Sequence, residues 1–170
     1  MLSEKLAKAL NDQMNYEFLS AHYYLAMAAY FEDQDLSGFG NFFIMQAAEE
    51  RFHAMKFYNF INEMEERATI QAISEPQNEF KSYVDVFEVA LAHEKEVTKR
   101  IYNLMDIATE EKEYATISFL NWFIDEQVEE EASMSTIIKK LQRIGDDNHA
   151  VYALDQELAA RVFTPPVAAE

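Results

Sequence analysis

Residues 44–60 read IMQAAEERFHAMKFYNF, an apolar-rich stretch that carries Glu50 and His53 three positions apart. Extended both ways it yields the series Phe39, Phe43, Gln46, Glu50, His53, Phe57, Phe60 and Met64, spaced throughout by threes and fours. That period is one face of an α-helix; the inward residues of a strand would alternate. A carboxylate and an imidazole therefore stand on a face otherwise built for burial.

The same violation recurs along the chain. A first stripe reads Leu10, Met14, Glu17, Ala21, Tyr24, Ala28, Phe31, and a third reads Phe80, Val84, Phe87, Leu91, Glu94, Thr98, Ile101, Met105, Ala108. A fourth segment has two heptad series, Leu120, Gln127, Met134, Leu141 and Phe123, Glu130, Ile137, Ile144, each broken once by a polar residue. Glycine stands only at 38, 40 and 145 and proline only at 76, 165 and 166, so long segments run uninterrupted between them. They predict helices over about 4–33, 38–66, 78–109 and 113–144, with a short fifth over 148–160. Thirty residues of helix span about 45 Å, a length that calls for a bundle. The expected fold is all-α: a four-helix bundle with one long crossover and a short fifth helix at the C-terminal end. One domain over 1–165 and a tail at 166–170 are expected. Ser3, Asp35 or Ser37, and Asp146 or Asp147 are the expected helix N-caps, and Pro76 suits an early turn of the third helix or the loop before it.

Glu17, Glu50, Glu94 and Gln127 fall near the midpoints of their helices, and antiparallel helices of equal length bring midpoints to one level. Glu17 to Glu50 and Glu94 to Gln127 are both 33 residues apart, and Glu50-x-x-His53 is matched in spacing by Gln127-x-x-Glu130. The pattern suggests two helical hairpins related by a pseudo-two-fold axis. Four carboxylates converging inside an apolar bundle need cations to stay ionised, because desolvation and like charge both oppose it. No Lys or Arg falls on the four stripes, which counts against a structural bundle held by ion pairs. Oxygen ligands with one imidazole favour a pair of first-row transition ions.

The composition agrees. The 170 residues carry 31 Asp and Glu against 14 Lys and Arg, a net charge of -17, while 49% are hydrophobic. Such a chain folds; it is not an acidic disordered tail. It is a poor partner for nucleic acid or anionic lipid and a good one for cations. With no Cys there is no thiolate or iron–sulfur chemistry. No apolar run is long enough to span a bilayer, and the expected location is the cytoplasm. Trp122 reads as packing, and His22, Tyr23 and His93 read as surface or interface residues.

Asn15-Tyr16-Glu17, Ala48-Glu49-Glu50-Arg51-Phe52-His53, Glu94, and Asn121-Trp122-Phe123 followed by Glu126-Gln127-x-Glu129-Glu130 closely resemble the non-haem bacterial ferritins over essentially the whole chain. The resemblance implies a ferritin-like di-iron centre, with Glu17, Glu50 and His53 at a first iron and Glu50, Glu94 and Glu130 at a second. Gln127 would help position O2 or H2O2, and Tyr24 would hydrogen-bond into the site. Glu49, Glu126 and Glu129 with Glu130 would match a third iron site. The implied function is oxidation of Fe(II) to Fe(III) and storage of ferric mineral in a homo-oligomeric cage of 24 subunits. Haem is not expected, since Phe52 replaces the methionine of haem-binding relatives and the fourth helix lacks a second Glu-x-x-His. The family's three-fold channels lie near the start of the fourth helix, where this chain has Ile117 and Leu120. The competing enzyme class, a di-iron oxidase of an organic substrate, needs an open cavity beside the metals and usually two Glu-x-x-His pairs.

Overall fold

A computed structural model describes residues 2–166. Among them are five helices and no strand: α1 (Glu4–Asp33), α2 (Ser37–Glu63), α3 (Tyr83–Glu111), α4 (Tyr114–Ile144) and α5 (Asn148–Ala159). Residues 167–170 of the expected tail lie outside the described residues.

α1 packs on α2, α3 on α4, and α1 on α3. Ser3 at the start of α1 donates to Glu111 at the end of α3, and Phe60 near the end of α2 stacks at 4.0 Å on Phe119 near the start of α4. Both pairs that join the two hairpins, α1 with α3 and α2 with α4, are therefore antiparallel, in keeping with the two-hairpin reading. The connection from α2 to α3 runs back along α1, pinned by side chains that stand in for a strand partner. Asn15 donates to the Thr69 carbonyl at 2.8 Å and accepts from the Gln71 N–H at 2.8 Å, while Asn11 accepts from the Thr69 N–H at 2.6 Å. An extended segment thereby satisfies backbone groups without a sheet.

Ser3, Ser82 and Asp147 cap α1, α3 and α5 by accepting from backbone N–H groups of the first turn. Two expectations at helix starts need correction. α3 begins at Tyr83, five residues late, because Ser82 is the cap; Phe80 lies in the crossover, packed against the core from outside the helix, and Pro76 lies in the loop before α3, one of its two expected places. α2 has neither Asp35 nor Ser37 as cap. Asp35 is spent in the turn at φ 56°, Ser37 is already helical, and the N-cap is Leu36 with no side-chain bond. The missing acceptor arrives from α5 instead, where Asp155 takes the Phe39 N–H at 3.0 Å. A carboxylate there also complements the positive end of the helix dipole. This docking explains Gly38, since a Cβ on it would stand 1.8 Å from the Asp155 carbonyl oxygen.

The interior divides into two apolar clusters. One gathers Met27, Phe31, Phe39, Phe43, Phe87, Met134 and Leu141 with Leu154 of α5; the other gathers Leu6, Leu10, Met14, Phe57, Ile101, Leu120 and Phe123. Leu120 is wholly buried in the second, on its inward-facing stripe, and half-buried Ile117 packs against it. Between the clusters lies a polar layer.

Candidate metal centre

Each helix of the bundle brings its polar exceptions to this layer, and their burial is nearly complete: Glu17 and Glu94 are 0% exposed, Glu50 and His53 1%, Gln127 3% and Glu130 4%. The reason is register. Each of these residues occupies a core position of its stripe, so the packing that buries the phenylalanines above and below buries the carboxylates too.

Two groups of ligand atoms form, each with its atoms within 4.8 Å of one another: Glu17, Glu50 and His53, and Glu49, His53, Glu126 and Glu130. His53 Nδ1 lies 3.6 Å from Glu50 Oε2. Glu94 is held on both sides, by the Tyr24 hydroxyl at Oε1 and by Gln127 Nε2 at Oε2, 3.1 Å. Gln46 donates to Glu130 at 2.7 Å, and Gln13 donates to Glu17 at 2.8 Å. Glu17 Oε2, Glu50 Oε1 and His53 Nε2 are buried with no hydrogen-bond partner. Buried polar atoms are almost always paired; Glu17 and Glu50 can satisfy each other only by sharing a proton, whereas a bound ion would partner all three atoms.

Electrostatics agree with that reading. Burial pushes the Glu50 and Glu130 carboxyls well above the usual range, and the neighbouring carboxylates, Glu94 foremost, push them further. Burial also raises Glu17 and Glu94, against the pull of the Gln13 bond on the first and the Tyr24 and Gln127 bonds on the second. His53 is driven down to about 3 by burial and by Lys56, so its imidazole is neutral, the form that binds metal. Tyr24 is raised well above 10 by burial and then by Glu94, and remains a phenol that donates.

Around Glu49 the environment is wetter. A groove of about 770 Å³ is lined by Glu49, Glu126, Glu129, Glu130 and Arg161 among others. Glu126 is pushed up to about 7 by partial burial and by Glu49 and Glu129. Glu129 is exposed and stands on the groove wall without joining the convergent group.

His93 corrects an expectation: it is 8% exposed, not a surface residue. Its Nε2 lies 2.7 Å from Ser20 Oγ, Tyr16 stacks on its ring at 5.2 Å, and half-buried Tyr23 tilts against it at 5.0 Å. The α3 stripe is wider than the one chosen and includes Val86, Ala90, His93, Val97 and Leu104, which share a helical spacing. Gln13 and Arg100 were also missed. Arg100 donates to Gln13 at 3.0 Å, and so orients the amide that holds Glu17. His22 is exposed, as expected. Trp122 packs edge-on to His53 at 5.4 Å with Lys56 over its ring at 4.3 Å.

Comparison with known proteins gives the family. Residues 7–144 match the family model for the ferritin-like domain. The chain is 55% identical over 163 residues to the bacterial non-heme ferritins of Staphylococcus aureus (strain USA300) and Staphylococcus haemolyticus (strain JCSC1435), covering 96% of this chain and 98% of each relative. Among solved structures it is similar to a closed form of the Archaeoglobus fulgidus ferritin engineered by mutagenesis, with TM-score 0.95 and 46% identity over 96% of this chain and all of that one. A humanized archaeal ferritin gives TM-score 0.96 and 47% identity over 97% of this chain and all of its own. With its helical bundle, its layer of buried carboxylates and these relatives, the chain belongs to the ferritin family, among the bacterial non-haem ferritins.

Proposed function

We propose that the protein is a ferroxidase that oxidises Fe(II) and stores the ferric product in a homo-oligomeric cage of 24 subunits, each built from one domain over 1–165. The carrying observation is the buried layer of four carboxylates and a neutral imidazole, with orphaned ligand atoms and no buried Lys or Arg among the described residues. Iron is the substrate. Glu17, Glu50 and His53 take the first Fe(II), and Glu50 bridges to a second held by Glu94 and Glu130. Glu49, Glu126 and Glu129 with Glu130 serve a third. Each of two Fe(II) ions gives up one electron, and the pair reduces O2 to H2O2 or H2O2 to water, with two protons taken up in either case. The protein contributes proximity and a neutralising pocket. Gln127 and Tyr24 hold Glu94 in place from opposite oxygens and face the reacting ions. Carboxyls raised by burial release their protons when iron binds, which puts protons where reduction consumes them.

The acid-lined groove favours ions over an organic substrate, whose pockets are mainly apolar. Among the described residues no helix is long and apolar enough to cross a membrane; the cytoplasm is the compartment proposed. Stopped-flow oxidation of Fe(II) by O2 tests the reading. Glu50→Ala is expected to lower the initial rate by at least ~10-fold, the scale of losses at metal sites. A wild-type rate in that variant refutes the site, and a small oligomer that takes up no iron refutes storage.

A further inference from the structure

The groove beside the metal centre already contains a cation that the chain itself supplies. Arg161, two residues past the end of α5, sends its guanidinium back to α2, where Nη2 meets Glu49 Oε2 at 2.8 Å. The side chain is 24% exposed and that of Glu49 15%. The guanidinium lies over the Phe42 ring at 4.3 Å, and its other terminal nitrogen, Nη1, is buried without a partner. The backbone is tethered as well, since Asn41 donates to the carbonyls of Leu158, Ala159 and Arg161 at 3.0–3.3 Å. Among the described residues no other Lys or Arg forms an ion pair with Glu49, Glu126, Glu129 or Glu130; Lys140, on the same groove, pairs with Glu157 at 2.5 Å.

Glu49 belongs to the convergent group with His53, Glu126 and Glu130, and Arg161 holds one of its oxygens. A divalent ion bound by a carboxylate oxygen sits about 2.0–2.2 Å from it. A guanidinium bonded to the same carboxylate leaves two positive charges within a few ångströms, where repulsion is strong in partly buried surroundings. The two cations therefore compete for the Glu49 carboxylate, one of whose oxygens Arg161 already holds.

We propose that Arg161 is a latch on the third metal position: it neutralises Glu49 while that position is empty, and it must swing out when a divalent ion binds there. Because Asn41 ties the same residue to α2, its departure loosens the segment after α5, so occupancy of the third position is coupled to the C-terminal segment. Arg161 is a positioning residue and touches no reacting atom. The inference rests on the proposed third site at Glu49, Glu126, Glu129 and Glu130.

The test uses the assembled full-length protein and Zn(II), which binds without redox chemistry. Calorimetric titration of wild type is expected to resolve a weaker ion after the first two. In Arg161→Gln that ion binds about tenfold or more tightly, the scale of a charge-assisted hydrogen bond removed from competition, while the first two affinities stay unchanged. In wild type, hydrogen exchange of the amides at 160–163 rises on addition of the third equivalent, a readout that needs no variant. Equal or weaker third-ion affinity in Arg161→Gln overturns the latch, as does unchanged exchange. Glu126→Gln separates the two levels. If it abolishes the third ion but Arg161→Gln does nothing, the site stands and the latch falls; if it leaves the third ion unaffected, both fall.

Discussion

At the scale of single residues, burial decides the chemistry. Glu17, Glu50, Glu94 and Glu130 have carboxyls raised by desolvation, so the metal-free folded state favours their protonated forms. A raised carboxyl contributes stability fully below its unfolded value, near 4.5, and loses it as pH rises through the folded value. His53 and His93, held down to about 3 and about 4, act oppositely, with stability present above 6.5 and lost as pH falls toward those values. Above pH 6.5 the carboxylate effect dominates, because the unfolded-state histidines lose most of their remaining protons within the next unit. The metal-free protein is therefore expected to lose thermal stability between pH 6.5 and 8, and Zn(II) is expected to abolish that slope while releasing protons. Thermal melts at the two pH values, and calorimetry in buffers of different ionisation heat, check both; a flat or rising melting temperature for the metal-free protein contradicts the first.

Individual residues also mark what could be read in advance. Glu17, Glu50, Glu94 and Glu130 were legible because each interrupts an apolar series at helical spacing. Tyr24, on the Glu17 stripe, does reach Glu94, and Gln127 does as well. The burial of His93 was legible in its spacing with Val86, Ala90 and Val97, but the partners of Gln13 and His93 were not, since a polar residue at the edge of a stripe looks the same whether it is solvated or held by Arg100 or Ser20. The difference lies in contacts 73 and 87 residues away in sequence.

At the scale of the helices, the ends carry the strain and the long-range bonds. Lys112 closes α3 in the left-handed region at φ 56°, with its N–H bonded to Ala108 and Thr109. A side chain there costs roughly 1 kcal/mol that glycine does not. Lys112→Gly is expected to stabilise the protein by about 0.5–1 kcal/mol, readable as a higher denaturation midpoint; a lower one would falsify the assignment of strain. Gly38→Ala should act in the other direction. Its Cβ meets backbone, not a flexible side chain, so α5 has to move away from α2 and Asp155 loses its bond to Phe39. A loss of about 2–4 kcal/mol is expected, the range of overpacked and uncapped sites combined. Faster hydrogen exchange in α5 should accompany it, and unchanged exchange would show that α5 accommodates the methyl group.

At the scale of the molecule, one apolar face is covered by no partner among the described residues. Leu25, Ile44 and Ile73 are 47%, 41% and 49% exposed and line one shallow groove with Phe18, Ala21 and Ala47 on the outer side of α1 and α2. Exposed apolar side chains gathered in this way, here with His22 and Arg51 in the same groove, suit a protein interface. A second copy of this chain suits it, since the proposed function requires a cage. Leu25→Arg is expected to shift the protein in gel filtration from a large assembly toward small species, with the helical spectrum kept. An unchanged elution volume means that this face is not needed for assembly.

Sequence alone determined the helices, the bundle and the level at which its polar residues meet, because amphipathic period and helix length are local properties that survive any arrangement of the rest. It also determined that those carboxylates lack basic partners within the stripes. Tertiary structure decided everything that depends on chain segments far apart. Asp155 caps a helix 116 residues away, and Arg161 reaches Glu49 across 112. Neither contact leaves a periodic trace in the sequence, because each is a single residue brought into place by the docking of a short helix whose own pattern says only which of its faces is apolar.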